Sequence, residues 1–326
     1  MLKVMQIGYG YWGTNVTKKL LNSRAFELIC LVENDENRKR TAKDNLPQNI
    51  LILDDYHDMI DSTEIDAVVI CTQTEYSYQI AIDAMEKGKH IFIEKPLATS
   101  VERANKMIAF AEEKNVILHC DHLMIYNPVI RYIKRMIDTG ELGDIMYIDI
   151  SRVNLGPIRK DINAMLDLAV HDIAVIDYLL DGIEPDCINA YGTHFFGKQE
   201  TITYLTMKCK ETLININSSW VSPVKVRRTL IGGTKKMIIF DDVKLDGKLT
   251  VYDCGINFSP TNEYGEYEYK TRVGDIFSPH IPQEDSLQNS LEHFAECVEN
   301  NRESLSGPKS SIRVMRVLEK AQNMLR

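Results

Sequence analysis

Short apolar runs alternate with helix-like patterns through the first 121 residues, and no other feature limits the possible folds as strongly. Six runs are too short for helices and rich in Val and Ile: LKVMQI, FELICLV, ILIL, DAVVICT, HIFIE and VILHC. Apolar residues at helical spacing mark 13–22, 36–45, 55–60, 75–87 and 98–114 between them. Parallel neighbours need crossover connections, so this order predicts an α/β fold with a doubly wound parallel sheet.

The rest of the chain follows a different pattern, in which strand-like runs are separated by turn residues. A run at 144–153 is followed by INAYGTHF, ETITYLTMK, TLININSSW, VRRTLIG, KKMIIFD and KLTVYD, with hairpin connections at CKET, GGTK and DDVKLDGK. Helices are predicted at 127–139, 164–180, 284–300 and 308–325, and a long irregular loop at 255–282. The pattern predicts an α+β domain with an open, mainly antiparallel sheet and helices on one face.

Length and composition bound the organisation. Two domains are the default for 326 residues. We predict a dinucleotide-binding domain at 1–121 and a substrate-binding and oligomerisation domain at 122–326, with helix 308–325 as an element that could pack back on the first. The hydrophobic share of 44% is ordinary for a soluble protein. A net charge of −9 argues against nucleic acid as a partner.

The N-terminal sequence and the cysteines both favour a cytoplasmic location. The N-terminus runs into a strand-like LKVMQIG that does not resemble a signal peptide, and no apolar run approaches the ~18 residues of a membrane helix. Seven cysteines are scattered singly with no C-x-x-C pair. We predict a cytoplasmic protein with buried thiols, no metal site and no membrane contact.

The segment GYGYWG, residues 8–13, places G-x-G-x-x-G between the first strand and the first helix. In that context Gly8 permits a tight turn, Gly10 lets backbone N–H groups approach a pyrophosphate, and Gly13 allows close packing of helix and strand. The helix N-terminus adds partial positive charge. A Rossmann-type dinucleotide site is predicted, with Tyr9, Tyr11 and Trp12 as further contacts; the alternative is a strand-to-helix turn with no ligand.

An acid follows the second strand. Glu33 lies 20 residues after Gly13, where a carboxylate can accept the adenosine ribose hydroxyls and repel a 2′-phosphate. This favours NAD over NADP. Arg38 and Lys39 lie close by and leave NADP use open, and a solvated loop acid is the alternative interpretation of Glu33.

Polar residues follow strands four to six, whose carboxyl ends are where ligands bind in open α/β sheets. They are Thr72, the tripeptide Glu94-Lys95-Pro96, and His122. Proline after Lys95 restricts the lysine to an extended or turn conformation at the strand end. A surface lysine paired with Glu94, and a core histidine at 122, remain alternatives.

The helix in MLDLAVHDIAVIDYLL is apolar on nearly every face and is predicted to be buried. Asp167 and His171 are four residues apart and share a face. A histidine beside a carboxylate suits proton transfer to or from a hydroxyl, although a purely structural pair is possible. Arg152 and Arg159 precede this helix and are candidates for bidentate contacts with substrate phosphates.

Together, GYGYWG, AVVICTQT, GKHIFIEKPLA and DLAVHDIAVI at this separation resemble the Gfo/Idh/MocA oxidoreductase family over essentially the whole chain. The resemblance implies a nicotinamide-dependent sugar dehydrogenase or reductase that forms a homodimer or homotetramer through the sheet of its second domain. By position, Lys95 resembles the family's substrate-orienting lysine, and Asp167 and His171 its paired residues, with His171 as acid or base.

The sequence also departs from the family pattern. Thr72-Gln73 and Ser77 stand where Thr-Pro and a later His are common, and Asp121 stands where a glycine commonly precedes the histidine after strand six. Met165 replaces an aromatic residue before Asp167. The segments around 122–144 and 151–173 look most like members that act on nucleotide sugars. We therefore predict oxidation or reduction at a ring position, most plausibly C3, of a nucleotide sugar; a free sugar or inositol, or a non-catalytic sensing protein, are the alternatives.

Overall fold

The structure is a computed structural model that describes residues 1–260 and 267–325. Contacts within the chain group it into two compact units. The first unit comprises Met1–Tyr126 and Glu284–Arg316, and the second comprises Asn127–Gln283 and Val317–Arg326. The domain limits that we predicted from the sequence, 1–121 and 122–326, stay predictions.

The first unit contains a six-stranded sheet in the order β3-β2-β1-β4-β5-β6, and every neighbouring pair is parallel. Its strands are β1 (Leu2–Ile7), β2 (Phe26–Val32), β3 (Leu51–Leu53), β4 (Ala67–Ile70), β5 (His90–Glu94) and β6 (Leu118–Asp121). The predicted doubly wound sheet is confirmed. The strand order reverses between β1 and β4, which is where ligands bind in such sheets.

Four helices connect these strands: α1 (Tyr11–Asn22), α2 (Glu36–Asn45), α3 (Thr74–Glu86) and α4 (Val101–Lys114). Side chains cap two of them, since Asp35 accepts from the Arg38 N–H and Ser100 from the Arg103 N–H. The helix predicted at 55–60 was wrong. That segment is a short 3₁₀ turn, Tyr56–Asp58, because the Asp55 carboxylate accepts the His57 N–H and closes the chain locally.

Both faces of this sheet are buried, which explains the continuous apolar runs in its strands. Val68 and Ile70 on β4 join one hydrophobic cluster, whereas Ala67 and Val69 join another. All four are fully buried.

The second unit contains an eight-stranded sheet in the order β14-β13-β12-β11-β7-β10-β9-β8. Its strands are β7 (Ile145–Leu155), β8 (Cys187–Thr193), β9 (Ile202–Cys209), β10 (Thr212–Ser219), β11 (Val221–Gly233), β12 (Met237–Asp241), β13 (Leu249–Pro260) and β14 (Tyr267–Phe277). Neighbours are antiparallel except β7 and β10, which are parallel. The prediction of a mainly antiparallel sheet is confirmed.

One prediction for the second unit was wrong. The loop expected at 255–282 is largely the hairpin of β13 and β14, apart from 261–266, which lie outside the described residues. Most described side chains of β14 are exposed, so this edge strand lacks the alternating apolar pattern that would have identified it. The helix expected at 164–180 is present, and its first turn, Met165–Ala169, is π-helical and continues directly into α6 (Val170–Leu179). α5 (Pro128–Asp138) precedes it.

The chain ends with α7 (Ser286–Glu299) and α8 (Pro308–Met324). Leu287, Leu291 and Phe294 on α7 join the hydrophobic cluster that contains Phe92 of β5. The segment Glu284–Arg316 therefore completes the core of the first unit.

Within the described residues, no helix combines the length and apolar character needed to cross a bilayer. All seven cysteines are free thiols. Four are buried, but Cys187 is exposed at the start of β8, so the prediction that all are buried was wrong.

Candidate functional site

The glycine-rich turn joins β1 to α1, and the fold itself requires glycine at two of its three positions. Gly8 has a φ of +98°, and a Cβ there would lie 2.7 Å from the Cys71 carbonyl oxygen beyond β4. A Cβ on Gly13 would lie 2.3 Å from the Gly8 carbonyl oxygen. Gly10 has a φ of −72°, and its Cβ would lie 3.6 Å from the Arg38 guanidinium. Neither conformation nor packing requires glycine at position 10, which favours a ligand over a bare turn.

A buried glutamine that sequence reasoning missed holds this turn. Gln6 on β1 donates from Nε2 to the carbonyl oxygens of Gly8 and Gly13, both at 2.9 Å. Its Oε1 accepts from Thr17 Oγ1 at 2.8 Å. A glutamine near the end of an otherwise apolar buried strand was the available signal.

The first turn of α1 is suited to an anion. Gly10 is its N-cap, and among the described residues no side chain caps it. The N–H groups of Tyr11, Trp12 and Gly13 lack acceptors within the helix, and the helix dipole adds about half a positive charge there. A phosphate satisfies both requirements. Tyr11 is exposed, whereas the predicted contact Tyr9 buries its side chain in the core.

Glu33 is buried and anchored, so its interpretation as a solvated loop acid was wrong. Its Oε2 accepts the Tyr9 N–H at 2.8 Å, and its Oε1 accepts the Asp35 N–H at 3.0 Å. Arg38 Nη1 lies 3.8 Å from Oε2. Lys39, by contrast, is held by Glu36 and Asp54. The acid is thus fixed to the turn that it follows, with Arg38 as the nearby cation.

Thr72, Lys95 and His122 follow β4, β5 and β6 and therefore lie at one edge of the parallel sheet. Thr72 Oγ1 is 2.9 Å from Ser77 Oγ, and the Lys95–Pro96 peptide bond is cis. The positive charge of Lys95 favours the ionised form of Glu94 and the neutral form of His122. The structure thus brings these first-unit residues together.

Two carboxyl groups are buried at the same edge. Glu94 and Asp121 are register partners at the ends of β5 and β6. Burial, reinforced by the charge of Asp121, raises the pKa of Glu94 well above its usual value. Burial also raises the pKa of Asp121 to about 7, although Ser290, Glu94 and Lys95 oppose the rise. Sequence reasoning identified Asp121 as a departure but did not predict its burial.

His122 is a core histidine, 2% exposed, next to the lysine. Burial, with the nearby charge of Lys95, lowers its pKa to about 4. The imidazole is therefore neutral at physiological pH. The ring is buried, as the core-histidine interpretation requires, and it lies at the predicted edge of the sheet. A contact between His122 and a ligand stays a prediction.

In the second unit, Asp167 lies on the π-helical turn before α6. Its Oδ2 accepts from Trp220 Nε1 at 3.2 Å, and its Oδ1 is 3.4 Å from Arg159 Nη1. His171 follows, half-buried, as the second residue of α6. π-Helical turns within helices are frequent at functional sites.

Asn163, also missed from the sequence, fixes the start of this turn. Fully buried, it accepts the Leu166 N–H at Oδ1, at 3.0 Å. Its Nδ2 donates to Glu200 Oε2 at 2.9 Å and to Gln322 Oε1 at 2.8 Å. These bonds hold the segment that carries Asp167.

The two candidate arginines have different partners. Arg152 is buried and binds Asp172 with three hydrogen bonds of 2.6–3.0 Å. A guanidinium committed in this way is a poor phosphate ligand, so we leave Arg152 out of the substrate site. Arg159 is 44% exposed and contacts Asp161 and Asp167.

A cavity of about 450 Å³ adjoins Arg159 in the second unit. Gln199 Nε2 donates to the Lys160 carbonyl oxygen at 3.3 Å and links its two walls. The lining combines three cations with exposed apolar side chains: Ile158, Arg159, Lys160, Phe196, Gly197, Lys198 and Gln199. Such a lining suits an anionic ligand that also has a flat apolar part.

Comparisons with known proteins agree with this geometry. Residues 2–122 match the model of the GFO/IDH/MocA oxidoreductase family with an NAD-binding Rossmann fold, and residues 130–239 match the model of the GFO/IDH/MocA C-terminal domain. UDP-N-acetylglucosamine 3-dehydrogenase from Acidithiobacillus ferrooxidans is 33% identical over 130 residues, 40% of each chain. Its crystal structure superposes with a TM-score of 0.81 at 22% identity, covering 99% of this chain and 97% of that one. The NAD-dependent scyllo-inositol 2-dehydrogenase of Bacillus subtilis is 25% identical over 312 residues, 91% of this chain and 86% of its own.

The neutral His122 is expected to make acid destabilising. Its folded pKa of about 4 lies below the unfolded value of about 6.5, so its stabilising contribution is complete above pH 6.5 and is lost as the pH falls toward 4. When the pH is lowered from about 7.5 to about 5, the unfolding free energy of wild type should therefore fall by ~2 kcal/mol more than that of the His122→Asn variant. Urea unfolding of Trp220→Phe proteins, in which Trp12 reports on the first unit, measures this.

The exposed His57→Asn change is the control and should show no such gain. A difference between His122→Asn and its parent that is the same at both pH values would contradict the buried neutral state.

Proposed function

Since this chain belongs to the GFO/IDH/MocA family of NAD-binding oxidoreductases, we propose that it transfers a hydride between nicotinamide and the C3 hydroxyl or ketone of a nucleotide-linked sugar. It is an NAD(P)-dependent enzyme of the sugar dehydrogenase and reductase type. The observation that carries the nucleotide-sugar assignment is the cationic cavity beside Arg159, whose guanidinium also contacts Asp167.

The first unit fits a dinucleotide. The open position at Gly10, the uncapped start of α1 and the anchored Glu33 provide a phosphate site and a ribose acceptor. Bound there, the cofactor supplies a hydride acceptor or donor. Arg38, beside Gly10 and Glu33, supports use of a 2′-phosphate as well, so we assign NAD as the cofactor and NADP as an alternative.

The chain's own residues handle the proton. A sugar hydroxyl does not lose its proton at neutral pH without a base, and a placed histidine typically contributes ~10²–10⁴-fold. We assign His171 as that base in oxidation and as the acid in reduction, with Asp167 orienting it. Lys95 donates a hydrogen bond to the reacting oxygen and stabilises its developing negative charge.

The cavity provides for the rest of the substrate. Lys160 and Lys198 supply charges for a diphosphate, and the exposed ring of Phe196 offers an apolar surface for a base. Similarity to a UDP-N-acetylglucosamine 3-dehydrogenase over 130 residues, 40% of each chain, supports this class of substrate. Arg159 connects the cavity to Asp167 within the second unit.

The catalytic roles predict that Lys95→Ala and His171→Ala lose turnover but keep cofactor binding. kcat should fall by ~10²–10⁴ for His171→Ala, since proton transfer is lost. Rates are measured by NADH absorbance and NAD affinity by calorimetry. Lys106→Ala, an exposed lysine paired with Glu102 on α4, is the matched control and should retain wild-type rates.

Wild-type turnover in both Lys95→Ala and His171→Ala would refute these roles. If wild type turns over no sugar in either direction but binds a dinucleotide, the chain is instead a sensing protein of the same fold.

The substrate assignment predicts a dependence on the diphosphate. Lys160→Ala and Lys198→Ala should each raise KM for a UDP- or dTDP-sugar by ~10-fold or more with little change in kcat, since each removes a charge-assisted contact. Activity toward the free sugar should be unaffected. Lys225→Ala, an exposed lysine on β11, should leave KM unchanged.

Equal kcat/KM for free and nucleotide-linked sugars would exclude the nucleotide requirement. That outcome favours a free sugar or inositol as the substrate. The similarity to scyllo-inositol 2-dehydrogenase over 91% of this chain supports this alternative.

The partner-facing surface is proposed to be the open face of the second unit's sheet. Tyr191 and Tyr204 are register partners on β8 and β9 and are 74% and 54% exposed. Leu213 on the neighbouring β10 is also exposed. Exposed aromatic and aliphatic side chains on one face favour association of identical subunits.

Tyr204→Glu should therefore shift the species seen by sedimentation velocity toward monomer without changing the circular dichroism spectrum. Glu211→Gln, an exposed change in the β9–β10 turn, serves as the control. A wild-type monomer at micromolar concentration would rule out this interface.

A further inference from the structure

We propose that Glu94 and Asp121 form a buried acid pair that keeps at least one proton through neutral pH, and that Asp121 is thereby a positioning residue for Lys95. The inference rests on the proposed role of Lys95.

The geometry places the two carboxyl groups together. β5 and β6 are parallel neighbours, and Glu94 and Asp121 are partners at their ends. Among the described residues, the buried atoms Glu94 Oε1 and Asp121 Oδ2 accept no hydrogen bond of normal geometry, although the Trp12 indole lies near enough to Glu94 to favour its carboxylate. Two buried carboxylates in this position would repel each other, and one proton between them supplies the missing donor.

A chain of hydrogen bonds fixes the other oxygen of Asp121. Ser290 Oγ on α7 donates to Asp121 Oδ1 at 2.7 Å. Because its proton is used there, Ser290 accepts from His119 Nε2, at 3.1 Å. Ser304 Oγ then donates to His119 Nδ1 at 2.9 Å. This order requires a neutral His119, and burial lowers the pKa of that ring well below its usual value.

Titratable and polar side chains from the neighbouring strands and helices surround Glu94 and Asp121. Lys95 follows β5 and contributes a positive charge that favours ionisation of both acids. His119, Cys120 and His122 lie on or after β6, Cys71 follows β4, and burial disfavours the charged form of each. From α1 the Trp12 indole favours the Glu94 carboxylate, and from α7 Ser290 favours the Asp121 carboxylate. His293 on α7 lies beyond His119.

The consequence is control of the charge next to Lys95. A doubly ionised pair would bind the ammonium group tightly and weaken its attraction for a developing alkoxide. A pair with one proton carries a single negative charge, which keeps the lysine protonated and in place while leaving its field available. The structure assigns the negative charge to Asp121, because Ser290 Oγ donates to its Oδ1.

Infrared difference spectroscopy of the full-length protein tests the pair directly. A protonated carboxyl group has a C=O stretching band separate from the carboxylate bands. We expect such a band at neutral pH in wild type. It should be lost in Glu94→Gln, where the introduced amide can donate to Asp121 and keep it ionised, and it should persist at a shifted frequency in Asp121→Asn, where burial still keeps Glu94 protonated. Asp61→Asn removes an exposed carboxylate paired with Lys87 and should leave the band unchanged.

A titration of the same band avoids dependence on variants that fold poorly. Ser290→Ala removes the bond that stabilises the Asp121 carboxylate, so the midpoint should rise by about one pH unit. Absence of the band in wild type at neutral pH, or an identical midpoint in Ser290→Ala, would overturn the pair.

The positioning role is tested by pH profiles of kcat/KM with the sugar substrate. Wild type should show an inflection near neutral pH that moves upward in Ser290→Ala and disappears in Asp121→Asn, with unchanged NAD affinity. Identical profiles in the three proteins would overturn the positioning role. If wild type turns over no sugar, the proposed function fails, whereas the infrared band still decides the acid pair.

Discussion

Close contact between the β1–α1 turn and the end of β4 is the constraint on which the first unit's site depends. A Cβ at Gly8 would meet the Cys71 carbonyl oxygen at 2.7 Å, and Gln6 ties the carbonyl oxygens at both ends of the turn to one buried amide. The same turn presents the Tyr9 N–H that orients Glu33. The proposed phosphate and ribose contacts therefore depend on one closely packed piece of backbone.

Pairing of buried charges decides which ionisable groups of the second unit remain available. α6 and the turn before it carry Asp167 and Asp172, and each has an arginine partner. The buried Arg152–Asp172 pair satisfies both charges internally, since an unpaired buried charge is costly. Asp167 instead contacts Trp220 and the half-exposed Arg159. Of the two pairs, Arg159–Asp167 is the one that solvent and the cavity can reach, as the proposed substrate site requires.

The parts of the structure that the sequence predicts are those with strong hydrophobic periodicity. The six parallel strands were identified because both sheet faces are buried. β14 and the part of β13 beyond Asp253 were missed because most of the described side chains there are exposed and give no alternating pattern. The π-helical turn was missed because it preserves an apolar run. Gln6 and Asn163 act through backbone carbonyls and N–H groups that no spacing rule encodes. No feature of the nearby sequence distinguishes the buried Arg152 from the exposed Arg159, because Asp172, the partner of Arg152, lies 20 residues further along the chain.

The return of Glu284–Arg316 to the first unit explains how an acid can be buried at the edge of the sheet. Asp121 receives its hydrogen bond from Ser290 on α7, and Ser304 orients the intervening His119. Ser306 adds bonds to the backbone on either side of Asp121, donating from Oγ to the Cys120 carbonyl oxygen and accepting the His122 N–H at 3.3 Å. A segment that at first only completes the hydrophobic core thus also sets the acidity beside Lys95. Acidity at this edge is a property of two distant parts of the sequence, which is why neither part reveals it alone.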